Sequence, residues 1–125
     1  MYMSKKRVLL VEDNREVREM LKSFLEETMD VEIRIAKDGV EALNLLRRDN
    51  PEFDAVILDV MMRSHGGTVA DFLRRHPQYK DIPIIYHTGL SREQLDKKIL
   101  EGAYYVEKSS QSMWKIKELL SRLLG

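Results

Sequence analysis

The chain has 125 residues, enough for one domain with a full core and too few for two of ordinary size. Lysine plus arginine number 21 and aspartate plus glutamate 21, so no net field draws the chain to nucleic acid or to an anionic membrane. There is no cysteine, which excludes disulfides and thiolate metal sites and makes the cytoplasm the default location; the basic start, Met1 to Arg7, is followed only by Val8 to Val11 before acids arrive, too short an apolar stretch for a signal peptide or a membrane span.

Val8-Leu9-Leu10-Val11 is a short apolar run that ends in Glu12-Asp13, and such a run followed by a helical pattern reads as a buried parallel strand. Val17, Met20, Leu21, Phe24 and Leu25 recur at helical spacing and predict a helix from about Arg15 to Thr28. A strand over Val31 to Ala36 follows. Asp38-Gly39 then opens a helix with Val40, Leu43 and Leu46 inward, and Asn50-Pro51 ends it before a strand over Asp54 to Leu58 that runs into Asp59. Val69, Phe72, Leu73 and His76 mark a third helix stopped by Pro77, and Ile82 to Tyr86 is a fourth strand. Ser91 with Gln94 has the form of a capping box for a fourth helix, which carries Leu95 and Ile99 inward and stops at Gly102. Tyr104 to Val106 is a fifth strand. The last helix has a stripe of Met113, Ile116, Leu119, Leu120, Leu123 and Leu124, with Trp114 off it and a candidate partner contact.

Five βα units predict an α/β fold, a doubly wound five-stranded parallel sheet in the flavodoxin-like order 2-1-3-4-5 with five helices. Ligands of such sheets sit beyond the carboxyl ends of the strands, and strands one and three flank the switch point. Glu12, Asp13 and Asp59 would therefore share one crevice. Like charges held close repel, so the arrangement calls for a cation among them or for one acid consumed chemically. Thr88 and Lys108 lie beyond strands four and five and add a hydroxyl and an ammonium. Singly, each residue has a plainer reading: Asp13 with Glu16 as a helix cap, Asp59 and Thr88 as turn formers, Lys108 as a solvated lysine. Turn residues have no reason to converge, and the convergence argues for a site. His65, His76 and His87 are too scattered to argue a metal site.

Val-Glu-Asp-Asn at 11 to 14, Leu-Asp-Val-Met-Met at 58 to 62, Gly67, Thr88-Gly89, Gly102-Ala103 and Tyr105-Val106-Glu107-Lys108, in that order and spacing, resemble the receiver domain of two-component response regulators of the chemotaxis type over essentially the whole chain. The resemblance implies a single receiver domain over 1–125 in which Asp59 accepts a phosphoryl group from a sensor histidine kinase or a phosphotransfer protein. It implies Mg²⁺ held directly by Asp13 and Asp59, through water by Glu12 and by the Met61 backbone carbonyl. Thr88 and Lys108 would meet the phosphoryl oxygens, Thr88 and Tyr105 would form the switch, and a downstream protein would dock on the face of helix four, strand five and helix five. The chain would catalyse only its own phosphotransfer and dephosphorylation, and would bind neither nucleic acid nor membrane. No output segment follows the fifth helix, so the expectation is a stand-alone receiver or a trimmed one.

The chain departs from the family pattern in places. Arg63 stands where a proline is usual, and Lys108-Ser109 stands where the family has Lys-Pro, commonly a cis peptide. A cis bond before a non-proline residue costs about 2.5–4 kcal/mol, so a trans bond or a reshaped loop is expected around Lys108. Met61 and Leu90 would flank the phosphoryl group and exclude water, which predicts slow self-dephosphorylation. A phosphorylation-independent interaction module is the competing reading. A haloacid-dehalogenase-like phosphatase needs a second acid where Met61 stands, and a flavin or nucleotide binder would find Glu12-Asp13 repelling its phosphate.

Overall fold

The computed structural model describes residues 5–48, 52–60 and 66–125. Five strands, β1 (Lys6–Val11), β2 (Val31–Ala36), β3 (Ala55–Leu58), β4 (Ile84–Thr88) and β5 (Tyr104–Glu107), form one parallel sheet in the order β2-β1-β3-β4-β5. The connections carry α1 (Arg15–Thr28), α2 (Gly39–Arg47), α3 (Gly66–Arg75) and α4 (Lys97–Leu100), and α5 (Ser112–Leu124) follows β5.

Both faces of the sheet are covered, which is why its central strands read as unbroken apolar runs rather than as alternations. Leu9, Val11, Val56, Leu58, Ile84 and Tyr86 pack with Ala42, Leu45 and Leu46 of α2 and Val69 and Leu73 of α3. The alternate residues Val8, Leu10, Ala55, Ile57, Ile85 and Val106 pack with Leu21 and Leu25 of α1 and Ile116 and Leu120 of α5. Arg74 ties three segments on the first face: its guanidinium donates to the carbonyls of Lys80 at 3.1 Å, Ile82 at 2.9 Å and Gly102 at 2.9 Å. Gly102 has φ +71°, a conformation that favours glycine where the chain leaves α4 for β5.

The expected elements are present, with local shifts. Val40 is 59% exposed rather than inward; α2 buries Ala42, Leu45 and Leu46, one position round the helix. That helix ends at Arg47 with Arg48 as its C-cap, and Asn50-Pro51 lies outside the described residues, as do Met61, Arg63 and His65. β3 starts at Ala55, because the Asp54 carboxylate is occupied with the Arg7 N–H at 2.8 Å. β4 starts two residues late and runs two further: Pro83 has no N–H for the ladder, although its carbonyl accepts from the Val56 N–H at 3.0 Å, while His87 and Thr88 pair with Val106 and Glu107. His76 falls just past α3.

The fourth helix differs most. The Ser91/Gln94 capping box is present but closes only one 3₁₀ turn, Arg92–Gln94. Leu95 is extended and buried, and Asp96 caps the chain anew, its carboxylate accepting from the Lys98 N–H at 2.9 Å. An aspartate that caps so readily interrupts a helix in mid-course.

At the start of α1 the cap is Asn14, whose side chain accepts from the Val17 N–H at 3.0 Å. Asp13 is thereby left out of capping. Asn14→Ala is expected to lower unfolding free energy by about 0.5–2 kcal/mol, whereas Asp13→Ala should show no such loss; urea titration of both variants tests this, and equal losses would assign the cap to Asp13.

Candidate functional site

Parallel strands of matched register bring their last residues to one level. Leu10 pairs with Ile57 and Ile57 with Ile85, so two residues further on, facing the same way by the alternation of a strand, stand Glu12, Asp59 and His87. The apolar row that α1 and α5 cover is thus succeeded by a polar one at the carboxyl edge of the sheet.

Glu12 and Asp59 are buried, at 1% and 4% exposure, and Asp13 is exposed beside them. One carboxylate oxygen from each of the three lies within 4.8 Å of the others. Lys108 enters this group from the end of β5: its ammonium is 2.7 Å from Asp59 Oδ2, 2.9 Å from Glu12 Oε1 and 3.1 Å from Glu12 Oε2. Burial pushes the Glu12 carboxyl above its ordinary pKa, against the hydrogen bonds from Lys108 and the Asn14 N–H. Burial alone would lower the Lys108 ammonium; its hydrogen bonds to Asp59 and Glu12 outweigh that and hold it above its usual value.

The supports of these groups are backbone contacts. The Glu12 N–H donates to the Ala36 carbonyl at 3.0 Å and the Asp59 N–H to the Val11 carbonyl at 3.2 Å, continuing the sheet into the site. Arg18 on α1 donates to the carbonyls of both Glu12 and Asp13 at 3.2 Å and fixes the acidic loop. The Lys108 N–H donates to the Thr88 carbonyl at 2.8 Å, which extends the β4–β5 ladder as far as the lysine. Ser109 then turns the chain into α5: its hydroxyl accepts from the Gln111 N–H at 3.1 Å, and its carbonyl accepts from the Ser112 hydroxyl at 2.9 Å. The loop that carries serine in place of proline therefore keeps Lys108 on the acids.

Thr88 is fully buried, and its hydroxyl accepts from the Leu90 N–H at 3.3 Å. The Leu90 carbonyl in turn accepts from the Tyr105 hydroxyl at 2.5 Å, while the Arg92 guanidinium lies 5.0 Å above the Tyr105 ring. One residue, Leu90, thus links the threonine to the tyrosine.

Among the described residues the candidate ligands are three carboxylates, hard oxygen donors that suit Mg²⁺ better than softer metals. Residues 8–119 match the family model of the response regulator receiver domain. The chain belongs to this family. It is 35% identical over 118 residues to response regulator MprA of Mycobacterium leprae, covering 94% of this chain and 49% of the relative, so it spans about half the length of the curated relatives it matches. Among solved structures, the response regulator TrrA of Thermotoga maritima in complex with Mg²⁺ and BeF is 36% identical, with TM-score 0.76 and coverage of 94% and 98% of the two chains. The complex of histidine kinase ThkA with TrrA matches at 36% identity and TM-score 0.80, covering 96% and 99%. The receiver has the sheet order of its family, and none of its helices is long and apolar enough, among the described residues, to cross a membrane.

Of the residues singled out in the sequence, the receiver fold brings together Glu12, Asp13, Asp59 and Lys108, with Thr88 and Tyr105 joined through Leu90. Met61 lies outside the described residues. Trp114 is 57% exposed, but its ring meets Phe24 of α1 edge-on at 4.9 Å, so it belongs to the α1/α5 side and not to the face of α4, β5 and α5. Arg18 and His87 were not legible as site neighbours. For Arg18 the sequence offers no signal; for His87 the signal is its place in a buried strand directly before Thr88.

The raised pKa of Glu12 has a definite linkage sign. A carboxyl whose folded pKa exceeds its unfolded one contributes stability at low pH and loses it as pH rises through the folded value. Wild-type stability should therefore fall relative to Glu12→Gln as pH rises out of the ordinary carboxyl range and through the raised folded value, in metal-free buffer, measured by urea unfolding at stepped pH; a difference that does not change with pH would contradict the assignment.

Proposed function

We propose that Asp59 is the phosphoacceptor of this receiver and that Glu12, Asp13 and Asp59, with the Met61 carbonyl expected from the family pattern, hold Mg²⁺. The observation that carries the reading is the buried pairing of Asp59 with Lys108 at 2.7 Å inside a cluster of three carboxylates. Mg²⁺ bound there would offset the charge of the acids and of an incoming phosphoryl group.

In the transfer, a carboxylate oxygen of Asp59 attacks the phosphorus of a phosphohistidine; the new P–O bond forms as the P–N bond breaks, and the histidine departs with its electron pair. Lys108 already faces the nucleophile and supplies positive charge to the phosphoryl oxygens. The Thr88 hydroxyl, one residue past the row of Asp59, is the hydrogen-bond donor on the β4 side. When it turns toward the phosphoryl group it ceases to accept from the Leu90 N–H, and the loop that also holds Tyr105 is released. Glu12, nearly wholly buried and paired with Lys108, keeps the lysine from folding out into solvent.

A sensor histidine kinase is the expected donor, as the neighbour TrrA has been solved with the histidine kinase ThkA. The chain is read as one cytoplasmic receiver domain whose switched surface includes Tyr105, half-buried, and Tyr104, 41% exposed, on the edge strand. Met61 and Leu90, the latter half-buried, are the residues expected to flank the acyl phosphate and limit the access of water.

Intact mass after incubation with acetyl phosphate, with and without Mg²⁺, tests the assignment. Wild type should gain one phosphoryl group only with Mg²⁺, and Asp59→Asn none. In parallel, Mg²⁺ should raise the unfolding free energy of wild type, and Asp13→Asn should abolish that increment while stabilising the metal-free protein, since it removes one of three crowded negative charges. A gain in Asp59→Asn equal to wild type would move the phosphoacceptor elsewhere.

A further inference from the structure

On the α1/α5 side, beside the acidic cluster and sharing Lys108 with it, is a cavity of about 360 Å³. Its walls are Val17, Met20 and Leu21 of α1 and Met113 of α5; Ser110 and Ser112 lie at its α5 end, and Lys108 and His87 line it on the sheet side. His87 is 3% exposed, and both ring nitrogens are buried without a hydrogen-bond partner among the described residues. A buried polar side chain with neither nitrogen engaged is uncommon and costly, and calls for an explanation.

From this we infer that the cavity is a binding site for a small neutral aromatic molecule carrying one hydroxyl or N–H group, of the size of phenol or indole, read by the imidazole of His87. The volume is at the lower end of those that hold organic ligands, and apolar walls with a few polar groups among them are their usual lining. Neither sign of charge suits the cavity. A cation would meet the Lys108 ammonium, and an anion would meet an ammonium already committed to Glu12 and Asp59. Burial, together with repulsion from Lys108 and against the attraction of Asp59, pushes His87 down to about 4. At neutral pH the ring is therefore uncharged, with one N–H donor and one acceptor nitrogen, and an O–H group matches it. Methionine walls favour an aromatic body through sulfur contacts with ring edges, and Met20 and Met113 repack at low cost to admit it to the ring nitrogens.

The test is a titration of the isotopically labelled full chain with phenol, followed by two-dimensional NMR, beside the same titration with toluene, which has the shape without the hydroxyl. Phenol should give saturable shifts centred on Val17, Met20, Met113 and the His87 ring, and should bind about three- to ten-fold more tightly than toluene, the worth of one hydrogen bond. His87→Val, a replacement that suits the apolar row beneath, should bring phenol down to the toluene level. Absence of saturable shifts, shifts centred elsewhere, or equal affinity for phenol and toluene in wild type would each overturn the inference, the last comparison needing no variant at all.

Discussion

The structure turns on one ammonium between two buried carboxylates. Glu12 and Asp59 directly follow the adjacent strands β1 and β3, where the register of a parallel sheet gives them no way of standing apart. Two unpaired acids so deeply buried would be costly, and Lys108 offsets that cost by bonding to both. Glu12 and Lys108 are 96 residues apart in the chain, so the pair also closes the sheet from β1 across to the segment after β5. The third acid, Asp13, is left outside this balance and exposed, and it gives the site its surplus of negative charge.

Capping at the start of α1 decides what that surplus is for. The tripeptide Glu12-Asp13-Asn14 contains two residues that readily cap a helix, and the structure uses only the last for that purpose. Arg18 then holds the carbonyls of the other two. The helix start and the acidic loop therefore form one rigid unit, in which the carboxylates are directed by the sheet and not spent on the helix. An anion is unwelcome at this helix N-terminus, unlike those that hold phosphate through bare N–H groups, unless positive charge accompanies it.

Much of this was legible in the sequence, and the reasons are physical. Buried parallel strands read as apolar runs, so Val8 to Val11 and Ala55 to Leu58 declared themselves, and the acids after them had to meet. Helix α1 matched its predicted limits because its stripe is long and its neighbours are clear breaks. Less was legible where one residue type serves several purposes. Val40 could face inward or outward at a helix start, and tertiary packing chose Ala42 and Leu45. Asp96 fell within the predicted fourth helix and is instead the cap of a second, shorter one. Where a reshaped loop was expected from serine in place of proline, Ser109 itself organises the turn into α5 through its hydroxyl and carbonyl; hydrogen bonds of this local kind are not visible in spacing.

The division of the segment between β4 and β5 has a mechanical meaning. A continuous helix transmits a push at one end to the other, because its hydrogen bonds move together. Here the 3₁₀ turn and the short α4 are separate pieces joined at Leu95, whose extended backbone sits over a buried side chain. Such a joint divides the contacts as a clutch would: Leu90 and Arg92 meet Tyr105 on one side of it, while the piece from Asp96 onward is anchored through Arg74 at Gly102 on the other. The group of residues tied together here is accordingly small, a single turn and one aromatic ring rather than a whole helix.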